Sequence, residues 1–211
     1  MSFIKKVLNK YKLNLLIYIF IKEIEYILKS LDFPLFDIKK KKNKNYHLSI
    51  STPYVYMNLL KKVEDIDKKS IFIDFGCGNG RVLKFLNKKK TFDFYYGYEL
   101  EKKIVNKSKK NLDHNVFIEE KNLEEFCDND YIFDFIKYQK IEDIYLYFYN
   151  PFSIKIVIKI LDKFKRFDKF HMFLLGFYTE DLKEIKTEEI KEIYNYFSET
   201  LTILKYEKRT N

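Results

Sequence analysis

The 211-residue sequence predicts a doubly wound α/β domain of mostly parallel strands, preceded by a helical extension. Three observations predict it. Three of the five glycines fall in the window Gly76-Cys-Gly-Asn-Gly80, between an apolar run and residues with helical spacing. A second strand-like run, Phe92 to Glu99, ends in a carboxylate 19 positions after Gly80. Beyond it, runs rich in branched and aromatic residues alternate with helical ones to the end of the chain.

From the N-terminus, Phe3 to Lys29 reads as a helix whose middle is apolar on nearly every side, so it should be buried on more than one face. Its own domain or a second subunit fits that better than a membrane surface. The apolar stretch Leu13 to Ile21 is too short to span a bilayer, is interrupted by Asn14 and is followed by no small-residue cleavage site. An integral membrane protein and a cleaved signal are therefore not expected. Pro34 breaks the helix within Leu31 to Phe36, and a dense basic run, Lys39 to Lys44, follows. Ser51 to Val63 reads as a helix, with Thr52 as its N-cap and Pro53 at its first position. These features divide the chain into a helical, basic extension over 1–50 and a domain over 51–211.

Within the domain, Ile71 to Phe75 is the first strand and the helix after the glycines carries Val82, Leu83, Phe85 and Leu86 inward. Phe92 to Glu99 is the second strand, Glu101 to Asn111 a lysine-rich helix, and Asn115 to Ile118 a short third strand. Asp143 to Tyr149 is a fourth strand, Ser153 to Phe164 a helix, Phe170 to Phe177 a fifth strand and Thr179 to Ile190 a helix. Glu192 to Phe197 and Thr200 to Tyr206 close the chain as two strands around a short polar turn.

Composition narrows the chemistry. Alanine and tryptophan are absent and only three of the 40 basic residues are arginine, the usage of an A/T-rich coding sequence. Residues 1–70 hold 15 basic and 7 acidic side chains, whereas residues 71–211 hold 25 and 24, so the net charge of +9 sits mainly on the N-terminal third. The run Lys39 to Lys44 could contact phosphates of nucleic acid, lipid head groups or another acidic polymer, or be a solvated loop. Cys77 and Cys127 make no disulfide framework, and with three scattered histidines no metal site is expected. A cytoplasmic protein is the default expectation.

A helix opening beside a glycine loop presents unpaired N–H groups that favour an anionic or acceptor-rich ligand. Dinucleotide enzymes place glycines at relative positions one, three and six, but here position six is Arg81 and the glycines stand at one, three and five. Glu99 can accept hydrogen bonds from both hydroxyls of a ribose, or can simply open the following helix.

The pattern Asp74-x-Gly76-x-Gly78-x-Gly80 resembles motif I of the class I S-adenosylmethionine-dependent methyltransferases. The turn Tyr149-Asn150-Pro151-Phe152 is similar to the family's motif IV, with one proline in place of two. Thr-Pro-Tyr54, Tyr-Gly-Tyr-Glu99 and these motifs together resemble small bacterial members distantly similar to the seven-strand histone-lysine methyltransferase. The resemblance implies a Rossmann-like, seven-stranded, mostly parallel sheet with an antiparallel C-terminal strand. It also implies S-adenosylmethionine as cofactor and S-adenosylhomocysteine as product. Asp74, Gly76, Cys77, Gly78, Gly80, Glu99, Asn122 and Asn150 would line the cofactor, although Lys121 or Asn122 stands where the family often has an acid. Asn150 and Tyr149 would be catalytic, while Pro151, Phe152 and Tyr54 would border the substrate; Tyr54 could equally be a core aromatic. An Asn carbonyl suits an amine acceptor on a protein or a nucleobase, whose lone pair it can orient for in-line attack. The other function considered is a non-catalytic binding subunit of the same fold, docking through its N-terminal helix.

Overall fold

The computed structural model describes residues 17–27, 52–60, 68–149, 153–175, 185, 190–196 and 201–207. Helix α1 covers residues 17–27 and α2 spans Tyr54–Leu60. Then follow β1 (Ser70–Phe75), α3 (Arg81–Lys88), β2 (Phe94–Glu99), α4 (Lys102–Ser108), β3 (Val116–Glu120), α5 (Tyr131–Tyr138), β4 (Asp143–Tyr149), α6 (Ile154–Phe164), β5 (Lys169–Leu175), β6 (Ile190–Tyr196) and β7 (Leu201–Glu207). Five strands, β3-β2-β1-β4-β5, run parallel, and β7 and then β6 extend the sheet beyond β5 in antiparallel pairing.

The expected α/β Rossmann-like class is what the chain forms. Strand order reverses between β1 and β4, so their carboxyl ends open a crevice of the kind in which α/β proteins bind ligands. All of β1 is buried, which explains why Ser70-Ile-Phe-Ile-Asp-Phe75 reads as a continuous apolar run rather than an alternation.

The sheet separates two cores. Ile71, Ile73 and Phe75 of β1 face α5 and α6, together with Ile144, Leu146 and Phe148 of β4. Phe72 of β1 and Tyr145 and Tyr147 of β4 face α2, α3 and α4, where Met57, Leu60, Val82, Leu83, Phe85 and Val105 are buried. Ile19 and Tyr26 of α1 pack against this second core, but Ile17, Tyr18, Phe20, Ile21 and Ile24 of the same helix are exposed, so its described residues are covered on one face and not, as the sequence predicts, on more than one.

Three sequence expectations need correction or completion. Thr52 does not serve α2 as a side-chain cap: its hydroxyl shares a 2.8 Å hydrogen bond with the Tyr147 hydroxyl, and α2 begins at Tyr54 with the Pro53 carbonyl accepting from Tyr56 and Met57. Helix α5 is not among the elements expected above, although Ile132, Phe133, Phe135 and Ile136 give it a buried stripe between exposed Tyr131 and Tyr138. The helix Glu101 to Asn111 is shorter, its last three residues tightening into a 3-10 turn. The lysine run 39–44, and all of the expected helix Thr179 to Ile190 except residues 185 and 190, lie outside the described residues.

Candidate functional site

At the carboxyl end of β1 the chain turns through Gly76, Gly78 and Gly80, with φ of 93°, 55° and 73°. These left-handed values strain any residue with a Cβ, which is why the turn is built of glycine. The loop is anchored to β2 by the Tyr98 carbonyl, which accepts from the Gly76 N–H at 2.9 Å and the Cys77 N–H at 2.8 Å. Gly97 lets β2 pass beneath it: a Cβ there would lie 2.6 Å from Cys77 Sγ and 2.7 Å from Leu83 Cδ1. A Cβ on Gly78, by contrast, would meet nothing within 4 Å, so this side of the loop borders open space.

Glu99 ends β2 against the loop. Its Oε2 accepts from the Gly78 N–H at 3.0 Å and its Oε1 from the Glu101 N–H at 2.9 Å, which fixes the carboxylate while leaving lone pairs free for further donors. Burial raises its carboxyl above the ordinary range, and these backbone N–H groups oppose the rise. Asp74 sits in register with Gly97 on one side and Tyr147 on the other, and is 2% exposed. Burial, then the charge of Glu99, pushes its carboxyl well above the usual range. Two clustered carboxyls held out of water suit a ligand that carries positive charge and hydroxyl donors.

Cys77 is buried, and burial with the charges of Asp74 and Glu99 pushes its thiol well up, so it is a packing residue under the loop rather than a nucleophile. Tyr149 ends β4, half-buried, with its phenol pushed up to about 12 by burial and then by Tyr56. Asn150, Pro151 and Phe152 lie outside the described residues.

Asn122 follows β3, but its side chain is occupied locally. Its Oδ1 accepts from the Glu124 N–H at 3.2 Å and its Nδ2 donates to Glu125 at 2.9 Å. The Lys121 side chain turns away to an ion pair with Asp130, while its N–H donates to the Glu99 carbonyl at 2.9 Å. Tyr54 stacks on Tyr26 at 4.6 Å and meets the edge of Phe85 at 5.8 Å, so the structure places it in the packing between α1, α2 and α3. His171 stacks on Tyr145 at 4.6 Å within the sheet.

In the sequence Arg81 stands out only as the residue that departs from a dinucleotide fingerprint. It is buried at the start of α3, where its guanidinium pairs with Glu23 of α1 and donates to the Thr52 carbonyl at 2.9 Å. Glu23 also accepts from the Tyr54 N–H at 2.7 Å. Helices α1 and α2 are thus tied to the residue that directly follows Gly80. No local spacing could have signalled a pair 58 residues apart.

Among the described residues no cluster of potential metal ligands occurs, and no helix is long and apolar enough to cross a membrane. Residues 68–155, from just before β1 to the first turn of α6, match the sequence model of a family described as a putative methyltransferase. Comparison with curated proteins gives no match. Among solved structures, a protein of the NADB-Rossmann superfamily from Streptococcus agalactiae is similar with TM-score 0.51 and 14% identity over 80% of this chain and 72% of that one. TrmK from M. capricolum, in complex with S-adenosyl-homocysteine, aligns with TM-score 0.49 and 12% identity over 75% of this chain and 69% of its own.

Proposed function

We propose that this chain is a class I S-adenosylmethionine-dependent methyltransferase and that methyl transfer goes in line to an amine on a protein or a nucleobase, a reading supported by the match of residues 68–155 to a putative methyltransferase family. The cofactor of this enzyme is S-adenosylmethionine and its product S-adenosylhomocysteine. When bound, the cofactor supplies a methyl group on a positively charged sulfur. In this reading the antiparallel β6–β7 pair closes the superfamily's seven-stranded sheet, and residues 51–211 form the methyltransferase domain.

The residues present fit that cofactor. The open side of the loop at Gly78 gives close approach to backbone, Glu99 accepts from the ribose hydroxyls, and Asp74 stands buried at the end of β1 behind the loop. Gly76, Cys77 and Gly80 shape the loop, and Asn122 borders the adenine side. Asn150 accepts from the amine and aims its lone pair, with Tyr149, Pro151 and Phe152 around the acceptor, while Tyr54 belongs to the packing beside α1. Tyr149, held at about 12, and Cys77, pushed well up, do not take a proton near neutral pH. In this reading the acceptor nitrogen arrives with its lone pair free, and the chain's work is positioning.

One observation carries the cofactor assignment. The Gly78 N–H and Glu99 carboxylate meet across 21 residues at the open end of β1 and β2. Titration calorimetry with S-adenosylmethionine tests it: wild type binds, while Glu99→Ala and Gly78→Val each lose at least about tenfold in affinity, the value of a charge-assisted hydrogen bond. Equal binding by all three proteins refutes the placement. For the acceptor, mass spectrometry of extract treated with labelled cofactor should show label transferred by wild type and lost with Asn150→Ala.

A further inference from the structure

The domain that is nearly neutral by sequence is not neutral by face. Residues 81–110, which form α3, β2 and α4, hold ten basic side chains against three acidic ones. Arg81 is buried, and the other nine are lysines: Lys84, Lys88, Lys89 and Lys90 on or just after α3, and Lys102, Lys103, Lys107, Lys109 and Lys110 along α4 and its 3-10 turn. All nine are exposed. They share one side of the molecule, because the buried residues of α3 and α4 belong to a single core on one face of the sheet.

Residues 119–169 build the other side and hold nine basic side chains against eleven acidic ones. There five of the nine cations are matched in space: Lys121 with Asp130, Lys163 and Arg166 with Asp128, Lys165 with Asp162, and Lys169 with Asp143; Lys137, Lys140, Lys155 and Lys159 have no ion-pair partner among the described residues. Of the nine lysines on α3 and α4, only Lys102 has an ion-pair partner among the described residues, Glu120 at 4.0 Å. A coding bias toward lysine acts on both faces alike, so it does not explain why the acids are missing from one.

We infer that the α3–α4 face binds the phosphodiester backbone of a nucleic-acid duplex. Lysines supply point charges for phosphates, and neither α3 nor α4 exposes an aromatic ring on which an unpaired base could stack; the exposed apolar side chains on this core, Ile17, Tyr18, Phe20, Ile21 and Ile24, belong to α1, so the vesicle arm of the test below separates lipid from nucleic acid. Contact through phosphates alone is the mode that reads shape and charge rather than sequence. Lys102 and Lys103 begin α4 three and four residues after Glu99, so a duplex on this face runs up to the mouth of the cofactor crevice. That the bound nucleic acid also carries the methyl acceptor rests on the methyltransferase reading above.

The test uses the full chain, labelled RNA and DNA duplexes of mixed sequence, and two triple variants of equal charge change. Lys88→Glu, Lys107→Glu and Lys110→Glu alter the face; Lys137→Glu, Lys140→Glu and Lys155→Glu alter the opposite one. Wild type should bind at low salt, with log affinity falling linearly against log salt. The first variant should lose on the order of tenfold or more and flatten that slope by about two to three units, while the second stays near wild type. The RNA and DNA arms tell which duplex is preferred. If the first triple fails to fold, the Lys→Gln triple gives the same comparison. Equal losses in both variants, binding only to phosphatidylglycerol vesicles, or no binding of wild type to either duplex at low salt overturns the assignment. Calorimetry with S-adenosylmethionine on the same proteins separates the two readings, since loss of duplex binding with cofactor binding intact touches this surface alone.

Discussion

Asp74 and Glu99 show how a site residue is set by what surrounds it. Both carboxyls are raised in the folded chain, first by burial, so the native state holds protons that the unfolded chain, near about pH 4, releases. Their contribution to stability is full below that unfolded value and is lost as pH rises through the folded one. Asp74→Asn removes the penalty: without ligand its thermal midpoint should exceed that of wild type near neutral pH. The gap should widen from about pH 4 upward, while cofactor affinity falls. Thermal scans across pH with and without S-adenosylmethionine check both signs; an unchanged midpoint near neutrality removes the burial account of Asp74. Glycine at 97 works through absence instead. Gly97→Ala would press a methyl group onto Cys77 and Leu83, so it should cost about 1–3 kcal/mol and weaken cofactor binding through the loop, as denaturant unfolding and calorimetry would show.

Between elements, the informative contact is the one that joins α1, α2 and α3. The Arg81 and Glu23 side chains are only 3% and 16% exposed, so removing either partner strands a charge largely out of water. Glu23→Ala and Arg81→Ala should each lower stability by about 3 kcal/mol, and the double variant should lose much less than the sum. A double-mutant cycle in urea reads the coupling; additive losses would show that α1 is not held through this pair. Tyr54 belongs to the same junction, between Tyr26 and Phe85, so Tyr54→Phe should leave stability nearly unchanged while Tyr54→Ala removes a stacked ring from the seam. Helix α5 shows the opposite relation to sequence: its stripe of Ile132, Phe133, Phe135 and Ile136 was present in the chain, but the element is only eight residues long and lacks a side-chain cap. Its helicity comes from packing its apolar stripe against the sheet, which no local signal announces.

For the whole molecule, binding and folding are linked through the crevice at the strand-order reversal. Ligand that binds only the folded chain should stabilise it by about 2.7 kcal/mol at a hundredfold excess over Kd, and a thermal midpoint that ignores S-adenosylmethionine would contradict the site. The parts of this protein legible in its sequence are those governed by short-range rules. The buried run of β1, the glycine turn that needs positive φ, the acid closing β2 and the alternation of strand with helix are each written within a few residues. Those features also carry the S-adenosylmethionine resemblance. Tertiary structure alone decided what depends on residues far apart in the chain. It spent Asn122 on a local turn, gave the Thr52 hydroxyl to Tyr147, paired Arg81 with Glu23, and gathered unmatched lysines on one face of a nearly neutral domain. Side-chain partners and surface potential are properties of three-dimensional neighbours, and one sheet brings together neighbours that the sequence keeps dozens of residues apart.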